Sequence, residues 1–224
     1  MVAVLLGAES RLRSGVVLPA VLAVVAAWVV LALVTDHASI PTFAVMWGAM
    51  SVAMMLPTVT RPMMRAADGS VARAWTFLGA FLAVWLVAGV PAYLLTGALQ
   101  WTPFWIALAW IAAGAYQVLP LQHRLVRSCS SVPYAGHALA YGTRQGLRCV
   151  AACAPIMLAA MVTAMALPGF VAPVLLLLGL TVLLCWEREP ATPRQAMVVV
   201  GMVLMLTAVA AVMLFGSGAG HLHV

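Results

Sequence analysis

Residues 16–35 read VVLPAVLAVVAAWVVLALVT, twenty positions without a charge, shortly after Arg11 and Arg13. A hydrocarbon core ~30 Å thick is crossed by about 20 such residues in an α-helix rising ~1.5 Å per residue. The apolar stretch of a cleaved leader is shorter, so this run is expected to be a retained first span rather than a signal peptide. The pattern returns at about 40–60, 74–99, 103–121, 148–167, 170–186 and 195–215. The expectation is a single all-α domain over residues 1–224, a polytopic transmembrane helical bundle of about seven spans. Composition agrees: 66% of the 224 residues are hydrophobic and 7% charged, and the mean hydropathy is +1.12. Soluble domains carry about 25% charged residues. A soluble globular protein, a disordered chain and a nucleic-acid binder are thereby excluded, and the bilayer becomes the first expected partner.

All eleven basic residues are arginines. Arg11 and Arg13 precede the first run. Arg61, Arg65 and Arg73 follow the second, Arg124, Arg127, Arg144 and Arg148 follow the fourth, and Arg188 and Arg194 follow the sixth. Seven spans place every one of them on the same side, which the positive-inside rule makes cytoplasmic. The N-terminus is then inside and the C-terminus outside. The segment 122–147, with His123, Cys129, Pro133, Tyr134 and His137, is expected as a cytoplasmic loop.

The fifth run carries Cys149, Cys153, Met157, Met161 and Met165, a sulfur at every fourth position. Residues i and i+4 share a helix face, but each step overshoots a full turn by about 40°, so neighbouring pairs converge while the whole set wraps around the helix. The second run carries Met46, Met50, Met54 and Met55 at similar spacing and crosses in the opposite direction. Counting depth from the inner face, Met54 falls level with Cys153, Met50 with Met157 and Met46 with Met161. Thiolates with thioethers suit a soft ion such as Cu(I); thiolates also bind Zn²⁺, so the two cysteines alone do not choose. Cys129 is a candidate hand-off thiol. Pro155, lacking an N–H, frees the Ala151 carbonyl and can kink the helix between Cys153 and Met157. The competing reading is plain packing, since Met and Cys fill apolar cores well.

Other residues carry less. Glu187, beside Cys185 and Arg188, reads as a solvated carboxylate at the end of the sixth run, with a functional role as the alternative. Tyr116 late in the fourth run reads as an interfacial anchor, beside Gln117, and the eight tryptophans as interfacial belts. Gly79-x-x-x-Ala83 reads as a close helix contact. Asp36-His37 and the pair His221 and His223 in the Gly-rich tail are ambiguous metal candidates. No Ser-His-Asp set, phosphate-binding Gly loop or paired carboxylates occur, and none of the five histidines lies mid-span. An enzyme is not expected.

Four segments, in order, resemble a bacterial family of predicted metal-binding integral membrane proteins, domain of unknown function 2182. They are Met50-Ser-Val-Ala53-Met54-Met55-Leu56-Pro57; Gly114-Ala-Tyr116-Gln117-Val-Leu-Pro120 followed nine residues later by Cys129; Gly146-Leu-Arg148-Cys149-Val-Ala-Ala152-Cys153; and Glu187-Arg188. The chain departs from the family pattern at Ala152, where the family has a further Cys, and at Ala154 in place of Trp. It also departs at Ser130 in place of Arg and at Gln122 near a family Lys. The resemblance implies a divergent member in the bacterial inner membrane that keeps fewer thiols.

These readings combine into an expected binder of a soft metal, Cu(I) ahead of Zn, in metal handling or delivery. Its expected ligands are Cys149 and Cys153 with Met157, Met54 and Met50, and Cys129 nearby. A metal donor or acceptor protein, or a membrane complex, is the expected partner. The rival readings are a structural subunit of a larger membrane complex and a small-solute transporter.

Overall fold

The computed structural model describes residues 2–33, 39–98, 102–131, 136–167, 171–187 and 194–215, without the side chains of 2–13, 130, 131, 194, 197 and 207–215. The described residues form eight helices and no strand. These are α1 (Val2–Leu33), α2 (Ile40–Ala67), α3 (Val71–Ala98), α4 (Pro103–Val118), α5 (Pro120–Ser131), α6 (Ala138–Ala166), α7 (Val171–Glu187) and α8 (Arg194–Phe215). Six of the seven apolar runs fall on one helix each, and the fourth, 103–121, passes the bend at Leu119 from α4 into α5. Asp36-His37, Arg188 and the tail histidines lie outside the described residues.

The eighth helix, α5, occupies half of the expected loop. It is amphipathic rather than apolar, burying Gln122, Val126 and Cys129 at spacings of four and three while Arg124 and Arg127 stay exposed. A window tuned to twenty apolar residues passes over such an element. For the same reason α6 begins at Ala138, ten residues before the apolar run, because its first turns are held by packing and not by hydropathy alone.

Four stretches are long and apolar enough to cross a membrane: Ser14–Leu33, Ile40–Ala67, Val71–Ala98 and Ala138–Ala166. The pair α4–α5 adds a fifth if it counts as one span bent by 75°. Among the described residues the geometry therefore supports four or five spans, not the full seven. Helix α4 has 16 residues and α7 has 17; at ~1.5 Å per residue both fall short of a ~30 Å core. The outside of the bundle is apolar. Val87 is 70% exposed and Leu206 67%, and Leu18, Leu22, Leu94 and Leu175 are likewise exposed, consistent with membrane insertion.

Local signals set the helix ends. Ser39 caps α2 by accepting from the Thr42 amide at 3.3 Å, with Pro41 in the first turn, where its missing N–H costs nothing. Asp68 at φ 43° and Gly69 at φ 80° reverse the chain into α3, and Arg73 pairs with Asp68 at 2.9 Å.

Helix α3 is the spine, with α2 on one flank and α6 on another. On the α2 side the Trp47 indole donates to the Trp85 carbonyl at 2.7 Å. Gly89 makes room: a Cβ there would lie 2.6 Å from the Trp47 ring. Trp47 and Trp85 are thus core residues and not part of an interfacial belt; tertiary contact outweighs the amphipathic preference of indole. On the α6 side the helices meet at Gly142 and Gly146. A Cβ on Gly142 would run into the Phe77 carbonyl, and one on Gly146 would lie 2.9 Å from Val84 Cβ. Gly79 has open space where its Cβ would be, and it and Ala83 are exposed. The close helix contact is therefore Gly142-x-x-x-Gly146, not Gly79-x-x-x-Ala83. A second crossing joins α4 to α8, where Gly114 and Gly201 each face the other's carbonyl, at 2.6 and 2.7 Å from the position of an added Cβ. Helix α7 packs on both α2 and α6.

Gly142→Val is expected to force α3 and α6 apart and to destabilise the detergent-solubilised protein by about 1–3 kcal/mol, seen as a lower midpoint of thermal unfolding. Gly79→Val, pointing into open space, is expected to leave that midpoint unchanged.

Candidate metal centre

Both cysteines of α6 are sealed inside the bundle: Cys149 is 0% and Cys153 1% exposed. Met50, Met54, Met55 and Met157 share the same contiguous buried cluster. The thiol of Cys149 donates to the thioether of Met55 at 3.6 Å, so two sulfurs from α2 and α6 meet across the helix boundary.

The partner is Met55, outside the expected ligand set. In the expected antiparallel register, Met54 faces Cys153 and Cys149 would then face Thr58. The observed contact lies three residues from that, just under one turn. The reason is that α2 and α6 do not run along each other's length. Each packs chiefly on α3, and the two approach over a short stretch. Depth counting finds residues at one level but does not choose which face turns inward. Met54, Met50 and Met157 are buried in the same cluster. Among the described residues no three His, Cys, Asp or Glu side chains converge, so the donor set available to an ion is thiols with thioethers. That set fits a soft monovalent ion and offers little to Mg²⁺ or Ca²⁺.

Cys129 is buried on α5, outside the main core cluster. Its carbonyl accepts from the Gln145 amide at 2.7 Å, and Gln145 stands one turn before Cys149 on α6. The expected hand-off thiol is therefore docked on the element next to the thiol pair.

A polar network surrounds the helix break beside Cys153. Pro155 leaves the Ala151 carbonyl without its helical donor, and the Tyr116 hydroxyl of α4 donates to that carbonyl at 2.8 Å. The next carbonyl, Ala152, accepts from the Gln122 amide at 2.9 Å. The same amide group donates to Gln117 Oε1 at 2.7 Å, and Gln117 Nε2 donates to the two Glu187 oxygens at 3.2 and 3.3 Å. Four helices, α4 to α7, are tied together there. Gln117, Gln122 and Glu187 are each at most 4% exposed. Glu187 is thus a buried acceptor and not the solvated carboxylate its position suggests, and Tyr116 is a lock on α6. At the other end of the same pair of helices, the Trp110 indole donates to the Thr163 hydroxyl at 2.7 Å.

Sequence reasoning missed Met55, Gln145, Gln122 and the pairing of Gln117 with Glu187. One signal was present. Gln117 and Gln122 flank Pro120, and a proline that turns the chain can aim two side chains five residues apart at one spot.

Gln117→Leu removes a donor to a buried carboxylate and leaves the Gln122 amide with the Ala152 carbonyl but without its Gln117 acceptor. It is expected to destabilise the fold by about 3 kcal/mol. Gln117→Leu/Glu187→Leu removes both partners and is expected to recover part of that loss, with a coupling of at least about 1 kcal/mol in a double-mutant cycle of thermal unfolding.

Comparison with known proteins follows the same chemistry. No match is found among curated proteins or among solved structures. The sequence model of PpoB2, copper chaperone, matches residues 44–211. The match covers three quarters of the chain, from early α2 into α8, and includes every residue of the sulfur contact and of the polar network. The chain belongs to the PpoB2 copper chaperone family.

Proposed function

We propose that the protein is a copper-handling integral membrane protein that takes up Cu(I) on Cys149 and Cys153 with thioether support from the buried methionines. The contact that carries this reading is Cys149 against Met55. A thiolate beside a thioether, sealed from water, prefers a soft monovalent ion to a hard divalent one. Structural Zn²⁺ sites are almost always tetrahedral, with four Cys, His or carboxylate ligands, and no three such groups converge among the described residues. Cu(I) is therefore favoured over Zn²⁺. The proposed ligand set is Cys149, Cys153, Met55 and Met157, with Met54 and Met50 alongside and Cys129 as the thiol that passes the ion on.

The topology we propose has seven spans, the N-terminus inside and the C-terminus outside, in a bacterial inner membrane. Two observations support it. Six apolar runs fall on one helix each and the fourth on the bent pair α4–α5, and all eleven arginines then fall on one side. The short helices α4 and α7 would be accommodated by local thinning or tilt of their neighbours. The four segments resembling domain of unknown function 2182 all fall within the residues matched by the copper chaperone family. The proposed partners are a copper donor and a copper acceptor protein, and the proposed activity is transfer by ligand exchange, without a covalent reaction on a substrate.

The test is metal content by mass spectrometry after purification in detergent under reducing conditions and incubation with Cu(I). Near-stoichiometric copper is expected for the wild type, with loss in Cys149→Ser/Cys153→Ser. Met55→Leu is expected to retain the stoichiometry at weakened affinity. Only trace copper, equal in wild type and double variant, would overturn the reading and favour a structural subunit of a membrane complex.

A further inference from the structure

A thiol that exchanges copper with another protein must at some stage be reached. Here Cys149 and Cys153 are sealed, so one wall has to move. The walls differ in how they are fastened. Helix α3 meets α6 backbone to backbone at Gly142 and closely again at Gly146. Helix α4 is bolted to α6 near both ends, through Tyr116 and Trp110. Helix α2 is tied to the spine by the Trp47–Trp85 bond.

Helix α5 is fastened differently. It has 12 residues, and its fully buried side chains are Gln122, Val126 and Cys129, with Leu125 partly buried against the core. Two glutamines fix it to α6, one from each side. Gln122 of α5 donates to the Ala152 carbonyl of α6, and Gln145 of α6 donates to the Cys129 carbonyl of α5. The two bonds lie seven residues apart on each helix, as in an antiparallel pair held in register. Cys149 sits between them on α6, level with Leu125 on α5.

Both latches are left incomplete. Gln122 Oε1 and Gln145 Oε1 are buried with no hydrogen-bond partner among the described residues. A buried acceptor without a donor loses its hydration and gains nothing in return, and it recovers both when it meets water. Closing α5 thus strands two oxygens, and lifting it rehydrates them. Pro120 starts α5 after the extended Leu119, at a bend of 75° from α4, which supplies the joint.

We propose that α5 is a displaceable strap over the thiol pair, latched by Gln122 and Gln145, and that its lifting opens the inner end of the site to an incoming or departing metal carrier. Cys129 travels with the strap, so the same movement presents this thiol to the carrier. The purpose of the strap rests on the copper reading above; its test does not use copper.

Metal-free protein in detergent is treated with N-ethylmaleimide, and modification of each cysteine is followed by peptide mass spectrometry. In the wild type, Cys149 is expected to react slowly. Gln122→Ala/Gln145→Ala is expected to raise the Cys149 rate about tenfold or more, since loss of two hydrogen bonds favours local opening, while Cys185 on α7 keeps its wild-type rate. An unchanged Cys149 rate, or Cys149 and Cys185 rising together as in general loosening, would overturn the strap. Hydrogen exchange on the wild type decides independently of any variant. Amides of residues 121–131 are expected to exchange at least about tenfold faster than those of α3 and α6, and equal protection would overturn it. A wild type with a mobile α5 and no copper would retire the copper reading and leave the strap standing. Bound copper with a rigid α5 would do the reverse.

Discussion

In an apolar bundle a backbone carbonyl that loses its helical donor has to find another, because neither lipid nor core side chains supply one. Pro155 creates that demand inside α6, at the Ala151 carbonyl midway between the two cysteines. The Tyr116 hydroxyl answers it at Ala151, and Gln122 engages the neighbouring Ala152 carbonyl. Gln122 in turn needs an acceptor and finds Gln117, which needs one and finds Glu187. Each donation points toward the carboxylate, so reversing any amide would set oxygen against oxygen. The missing hydrogen bond at Ala151 is supplied by α4, and the adjoining glutamine chain ties α5 and α7 in beside Cys153.

The proposed soft site sits where that network and the apolar core meet. Sulfur is well suited to such a boundary. It packs as a hydrophobe when empty and becomes a ligand once the thiol gives up its proton. The bundle therefore stores its donors without the desolvation cost that buried carboxylates or histidines would bring. Access is the price of that storage. The thin, half-satisfied attachment of α5 is the least costly place for the fold to provide it.

Glycine does the complementary work away from the site. Gly142 and Gly146 let α6 approach α3 to backbone contact, and Gly114 with Gly201 does so for α4 and α8. Between hydrophobic helices in lipid, close approach yields the dispersion contacts that hydrophobic exclusion does not supply. These crossings hold α6 firmly on its α3 side, so that movement at α5 need not disturb the thiols' other neighbours.

Much of this was legible in the residues. Hydropathy placed seven of the eight helices, spacing put Cys149 and Cys153 on one face of α6, where both are buried, and Pro155 marked the Ala151 carbonyl as free. These are properties of a chain segment: length, periodicity and a missing N–H depend on nothing distant. Met55 in preference to Met54, the burial of Glu187, the core placement of Trp47 and Trp85, and the strap over the thiols were not legible. Each depends on which face of a helix turns toward which neighbour. That is decided by how closely backbones approach at glycine and by where the buried polar groups of separate helices can reach one another.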